Sequence, residues 1–476
     1  MCRSSIRQLG RHARMLLAFV LLAACSPYRA TDNPAPPVAV PERFVAESGA
    51  EPAAPRFWES FGQPGLNQLV DAAVTGNFTL QAAWARLGQA DAVATIAGAP
   101  RWPTLDASAN GRVQRQVLAF TPPGGDNSTI ARSFNMSLAA SYEVDLWNRI
   151  GSGARAASFE RDAVRDDLER AAITIASEVT ERWFDLSRVL AMRALLNAQL
   201  EANERFLAIV TARFDAGQAS GLDVSQQRQM VAGSRARLQL SIANEVTLRH
   251  QLAVLAGKVP GTLTIDASAQ LPSLPPLPSA GVPSELLKHR PDVRAAQRRV
   301  AAADHRVAEA VADRYPALRL SGDVSAQAQR SDFVSQALTP LWNLIAGLTA
   351  PIFDGNRRAS EVDRRDAVLA ERLSDYGQTL LTALMEVENA LVQERQQNLY
   401  IEQLAAQALA ASDAVEQSRV RYESGLTDFL PVLTSISAAQ ANEQLMLDAQ
   451  RQLISFRVQL GRALGGVWTS ELQAAQ

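Results

Sequence analysis

After its first two dozen residues the sequence contains no run of about 18 apolar residues, so it offers no helix able to cross a bilayer. An excess of one charge is missing too. Against 49 acidic residues stand 47 basic ones, a formal −2, without the basic surplus of a nucleic-acid binder. Four histidines and two cysteines leave little material for a metal site, and no Met-rich or His-rich stretch points to a soft metal. His250, His289 and His305 are scattered, only the last two sharing one helical region, and they read as surface or capping residues. No HExxH, phosphate-cradling glycine loop or nucleophile elbow occurs, and Gly151-Ser152-Gly153 lacks the flanks of a catalytic turn. Neither an enzyme nor a bound cofactor or metal is expected. Disorder is excluded as well, because 47% of the residues are hydrophobic.

What is present begins with an address. Arg3, Arg7, Arg11 and Arg14 precede the apolar stretch Met15 to Ala23, which ends in Leu22-Ala23-Ala24-Cys25-Ser26. A basic start, a short apolar run and small residues at its end make a secretory signal over residues 1–24. The ending resembles a bacterial lipobox, which implies cleavage before Cys25 and a covalent lipid on it. Ser26, standing where an Asp would imply retention at the inner membrane, implies the outer one. The one cysteine left is then blocked, so no intramolecular disulfide is expected. Residues 25–65 start as a Pro- and Ala-rich stretch with no helical or core pattern, expected to be an extended tether.

The rest of the chain is written twice. Arg101-Trp102-Pro103-Thr104-Leu105 is echoed by Arg314-Tyr315-Pro316-Ala317-Leu318, 213 residues on. Asn148-Arg149 recurs as Asn356-Arg357, and Arg213-Phe214-Asp215-Ala216-Gly217 as Arg421-Tyr422-Glu423-Ser424-Gly425, both at an offset of 208. The change in offset falls on the loose turn Thr121 to Asp126, where an insertion is tolerated. Two repeats follow, 66–258 and 284–466, joined by a linker at 259–283 and followed by a tail at 467–476.

Each repeat has the same order of patterns. A helix (Leu66 to Ala99; Ser284 to Asp313) ends at Pro103 or Pro316. Two stretches of period two follow, expected to be strands of nine to twelve residues, a length that crosses a bilayer when tilted. Their apolar positions are Leu105, Ala107, Ala109 and Phe134, Met136, Leu138, Ala140, Tyr142, Val144. In the second repeat they are Leu318, Leu320, Gly322, Val324 and Trp342, Leu344, Ala346, Leu348, Ala350, Ile352. A long helix (152–214; 360–422), reaching roughly 95 Å at about 1.5 Å per residue, stops at Gly217 or Gly425, where glycine suits a left-handed cap. A shorter helix returns, 222–256 and 428–464. Four strands cannot close a barrel and an open edge is not tolerated in lipid, so the strands demand further copies of the chain. Eight strands would be filled by their own side chains, so three copies are expected.

Five segments carry a resemblance to a known family. They are Phe57 to Leu69 (FWESFGQPGLNQL), Ser141 to Trp147 (SYEVDLW), His289-Arg290-Pro291-Asp292-Val293, Pro351-Ile352-Phe353-Asp354-Gly355 and Arg421 to Asp428 (RYESGLTD). In this order, after a lipobox, they resemble the outer-membrane efflux lipoproteins, the NodT group of TolC-like factors. The resemblance implies a mainly helical chain with membrane strands, forming a homotrimer with a twelve-stranded β-barrel and a periplasmic helical barrel. It implies a passive exit duct for drugs or other small toxic compounds, working with a periplasmic adaptor and an inner-membrane transporter of the resistance-nodulation-division type. The alternative is a duct for type I protein secretion. The turns 215–223 and 423–431 are then the inward tip, which meets the adaptor and closes the duct. Arg213, Asp223, Arg421, Tyr422, Asp428 and Leu430 are its gate candidates, and Gly217 and Gly425 its turn glycines. Where relatives often carry gating Asp residues this chain has Pro431 and Thr434, neither of which supplies a carboxylate for a ring there. For Arg213 and Arg421 a salt bridge or helix C-terminal charge is the alternative, and for the two Asp residues turn or cap chemistry.

Overall fold

The computed structural model describes residues 27–46, 48–51, 54–117, 128–330, 335–466, 468–469 and 472. The signal 1–24, Cys25, the turn Thr121 to Asp126 and most of the tail 467–476 lie outside the described residues. Seven helices and four strands are named here. They are α1 (Pro64–Gly76), α2 (Phe78–Gly98), β1 (Thr104–Val117), β2 (Ser128–Val144), α3 (Arg149–Asp215) and α4 (Gly221–Leu255), then α5 (Pro291–Ala312), β3 (Ala317–Arg330), β4 (Ser335–Thr349), α6 (Arg357–Glu423) and α7 (Phe429–Leu464). Both halves of the chain thus read helix, hairpin, long helix, shorter helix. The two long helices are 67 residues each, about 100 Å at 1.5 Å per residue.

Three expectations need correction. The helix drawn over Leu66 to Ala99 is two helices. Asn77 between them is extended and buried, its Oδ1 accepting from the Thr79 and Leu80 amides at 2.8 and 3.3 Å while its Nδ2 donates to the Leu255 carbonyl at 2.9 Å. Directly after Gly76, the last residue of α1, a side chain that both caps α2 and ties down the end of α4 breaks the helix. In the second half the helix proper starts at Pro291, because Arg290, ahead of a proline, is held extended. The strands are longer than nine to twelve residues, at 14, 17, 14 and 15, since ladder bonds continue past the apolar segment into polar sequence. At the other limit β4 ends at Thr349 ahead of Pro351, so Ala350 and Ile352 fall outside it.

The chain gathers into two compact units that cut across both repeats. One holds residues 88–163 and 296–376 with the start of the chain, and contains the sheet. The other holds 36–87, 164–295 and 377–476 and is helical. In the helical unit the core joins Trp58, Leu66 and Val70 to Val179, Trp183, Phe184 and Leu186 of α3 and to Ile454 and Val458 of α7. Gly65 is required there, because a Cβ would stand 2.7 Å from the Trp183 ring.

The segment read as an extended tether is non-helical but docked over residues 27–46, and farther on Phe57–Phe61 forms a short 3-10 helix ahead of α1. In the sheet unit Tyr28 Oη donates to Asp304 Oδ1 at 2.6 Å, the Thr31 amide donates to Asp304 Oδ2 at 2.6 Å, and Asp32 meets His305 Nε2 at 2.6 Å and Arg155 Nη1 at 2.8 Å. His305, expected at the surface, is buried against Phe159, their ring centroids 5.5 Å apart. In the helical unit the Val45 and Ala46 amides donate to Glu388 at 2.6 and 2.9 Å. Backbone donors finding carboxylates is what turns a proline-rich strand into a strap.

Candidate functional site

Two places carry the chemistry a duct would need, the sheet and the turn between long and short helices. The sheet runs β1-β2-β3-β4, every neighbour antiparallel, with β1 and β4 open at its edges. Its register gathers the apolar positions of distant segments into rows on one face. Leu105 lies opposite Ala140, which lies opposite Gly322, which lies opposite Leu344. The next row is Ala107, Leu138, Val324 and Trp342. Leu105, Val324, Trp342, Leu344 and Leu348 are all exposed, Leu344 at 79%. The other face carries Asp106, Ser108, Asn110, Ser137, Ser141, Ser321, Asp323 and Asn343 on the intervening rows. Such a sheet is two-faced by sequence alternation, with its oily side uncovered in a single chain.

All four junctions with helices lie at one end of the sheet, and both hairpin connections at the other. The exits into α3 and α6 are built alike. Asn148 and Asn356 take left-handed backbone at φ 58° and 67°, a conformation asparagine tolerates. Asp145 accepts from the Ile150 and Gly151 amides at 3.1 and 2.7 Å, and Asp354 from the Arg358 amide at 3.3 Å. Trp147 donates to the Pro316 carbonyl at 2.8 Å and packs on Tyr315, at 5.0 Å between ring centroids.

At the other site, in the helical unit, Gly217 and Gly425 sit at φ 71° and 70°. Each donates to the carbonyl three residues back, while the amide after it reaches five back, Gln218 to Arg213 and Leu426 to Arg421, both at 2.8 Å. This paired closure ends α3 and α6 in the same way. Beneath the turns Val210, Val224, Tyr422, Phe429 and Val432 form a small core, with Phe206 stacked on Phe429 at 5.9 Å. Arg213 lies over the Tyr422 ring, 4.7 Å from its centroid, and its Nη1 donates to the Glu423 carbonyl at 3.4 Å. Burial pushes the Tyr422 phenol up, the nearby Arg213 opposing.

The candidate residues therefore separate. Arg213 and Tyr422 are brought together. Asp223 serves a capping box, accepting from Ser220 N at 2.9 Å while its own amide donates to Ser220 Oγ at 3.2 Å. Asp428 occupies the N-cap of α7, but its side chain makes no cap bond. Arg421 stays exposed in the last turn of α6. Leu430 projects with 56% of its surface exposed, and the Thr434 hydroxyl is spent on the Leu430 and Pro431 carbonyls of its own helix. Sequence reading missed Phe429 and Val432, although their spacing of three from the turn carried the signal. It also missed a buried amide seam where α3 meets α4 and α7. There Asn203 holds Ser234 and Gln440, Gln227 holds the Asn203 carbonyl, and Gln444 donates to Gln199 at 3.0 Å. Polar side chains at 199, 203, 227, 234, 440 and 444 read as solvated until their neighbours are known.

A family profile described as outer membrane efflux protein matches residues 69–258 and 282–466. The pyoverdine export outer membrane protein OpmQ of Pseudomonas aeruginosa is 32% identical, over 97% of this chain and 98% of its own. The outer membrane protein OprJ of the same organism is 30% identical over 95% of each. Among solved structures the outer-membrane channel OprN superposes with a TM-score of 0.82 at 27% identity, over 92% of this chain and 99% of its own.

Proposed function

The chain belongs to the outer membrane efflux protein family, and on that footing we propose that three copies of it close one twelve-stranded barrel. Its fold is that of the TolC-like channels, and its place is the outer membrane, with the helices on the periplasmic side. It is the outer-membrane duct of a multi-component efflux pump. The family works as a channel, and passage through a duct requires no bond to be made or broken.

One observation carries the assembly: a four-stranded sheet with an exposed apolar face and two unpaired edges. In lipid both edges must find partners, and β1 of one copy beside β4 of the next satisfies them with the same register rules as the interior pairs. Three copies leave a lumen lined by the polar face. Light scattering of detergent-extracted protein should give three times the chain's 51.4 kDa, less the signal. A stable monomer with intact strand signal by circular dichroism overturns the assembly.

Cys25 as the lipid anchor is part of the same reading, supported by the lipobox-like Leu22-Ala23-Ala24-Cys25. An intact mass without acyl chains would remove it. Around the duct the reading places a periplasmic adaptor at the turns after α3 and α6 and an inner-membrane transporter of the resistance-nodulation-division type, which supplies the energy. Arg213, Tyr422 and Leu430 act as the closing elements. For cargo, small molecules are favoured over secreted protein, since the 32% identical relative is named for export of pyoverdine.

A further inference from the structure

Among the described residues the apolar face of the sheet carries no Asp or Glu at any row, from Leu105 in β1 through Val144, Leu318 and Leu348. It does carry arginine, and only toward the hairpin end. Arg132 of β2 stands directly opposite Arg330 of β3, with Val113 of β1 and Ser335 of β4 completing the row, and Arg115 lies one row further out opposite Ile130. Arg115, Arg132 and Arg330 are exposed. Two guanidinium groups facing each other across a strand pair repel, and no carboxylate among the described residues of that face relieves them.

Distance along the strands says what does. From Val144 to Phe134 the face of β2 is apolar for ten residues, about 34 Å of strand, which at the usual tilt of 35–45° stands about 25 Å high, the height of a barrel's apolar band. Arg132 comes two residues after Phe134, about 5 Å beyond the band's edge, at head-group level. The helices leave from the opposite end of the sheet and are too polar to cross a membrane, so this end belongs to the outer leaflet. Because β2 and β3 are each paired on both sides within the chain, no neighbouring copy covers them when the barrel closes.

We propose that Arg132 and Arg330, flanked by Arg115, form a binding site for the phosphate of a phosphorylated glycolipid of the outer leaflet. Guanidinium forks take phosphate oxygens in pairs, and Cβ atoms about 5 Å apart let two forks converge on one phosphate. The acyl chains then lie down the apolar rows that begin at Phe134. The site rests on the barrel reading above, so particle size must be measured beside binding.

The test uses full-length protein extracted in detergent and bis-phosphorylated lipid A as probe, with its dephosphorylated form and inorganic phosphate as further arms. Arg132→Gln with Arg330→Gln should weaken lipid A binding at least ten-fold without changing particle size, whereas Arg112→Gln, on the polar face, should leave it unchanged. Wild type should bind dephosphorylated lipid as poorly as the double variant binds lipid A. Equal binding by wild type and double variant, or inorganic phosphate competing at lipid concentrations, overturns the proposal. A shift in particle size for the wild type instead strikes at the barrel and leaves the arginine comparison readable.

Discussion

Arg290 shows how one side chain can serve three elements. It is buried in the helical unit, where its guanidinium takes both oxygens of Asp292 at 3.0 and 2.6 Å, reaches Glu386 of α6 at 2.8 Å and donates to the Ala463 carbonyl of α7 at 3.0 Å. Burial works to raise the Asp292 carboxyl, but the Arg290 hydrogen bonds and charge outweigh it and hold the group below the ordinary Asp range. A depressed carboxylate contributes stability that is present at neutral pH and lost as pH falls through its folded value. Thermal scans should show Tm falling below about pH 4, and Asp292→Asn should flatten that acid slope. Arg290→Ala, leaving Asp292 and Glu386 facing without their partner, should destabilise by about 3–5 kcal/mol in denaturant titration. The motif around Arg290 was visible in the sequence, but not its partners: Glu386 lies 96 positions away. At the tip the same scale gives a functional expectation. Leu430→Ala should raise single-channel conductance and antibiotic leak, and unchanged values would remove Leu430 from the constriction. Gly425→Ala, forced to hold φ 70°, should cost about 1–2 kcal/mol without moving the turn.

At the level of elements, the long helices lay within three residues of their expected ends, because a sustained apolar stripe and a terminal glycine are both written locally. The strap was not legible. Its proline-rich sequence has no periodicity, and its docking depends on Asp304 and His305, more than 270 residues away. The hydrogen bond from His305, then Arg155, holds the Asp32 carboxyl below its ordinary value, so the clasp holds at neutral pH and loosens in acid. Asp32→Asn should speed tryptic cleavage after Arg29 several-fold at pH 8 with Tm unchanged. Cleavage at the wild-type rate would mean that Tyr28 and the Thr31 amide hold the strap alone. The break between α1 and α2 follows similar logic. Asn77→Ala loses a cap and the bond to Leu255, and should cost about 1–2 kcal/mol.

For the whole molecule, the two repeats and the two compact units are different partitions of one chain. Duplication set the order of elements, whereas packing collected both hairpins into one sheet. That pairing of β2 with β3, from opposite halves, leaves two edges for neighbouring copies. In the assembled duct, strand signal and trimer should then be lost at one shared temperature. A monomer that keeps its strands after dissociation would contradict this.

What the amino-acid string determined by itself is everything carried by period and punctuation: which segments are strands or helices, which strand face is oily, where glycine ends a helix, and that one chain has too few strands for a barrel. Only the tertiary structure decided the register that aligns Leu105 with Leu344 and Arg132 with Arg330, the docking of the strap, and the burial of the amides at Asn203 and Gln227. The reason is physical. A repeat of two or 3.6 residues is enforced by neighbours along the backbone, but register and polar burial depend on which remote segment arrives opposite, and a polar side chain is spelled the same way whether water or a partner receives it.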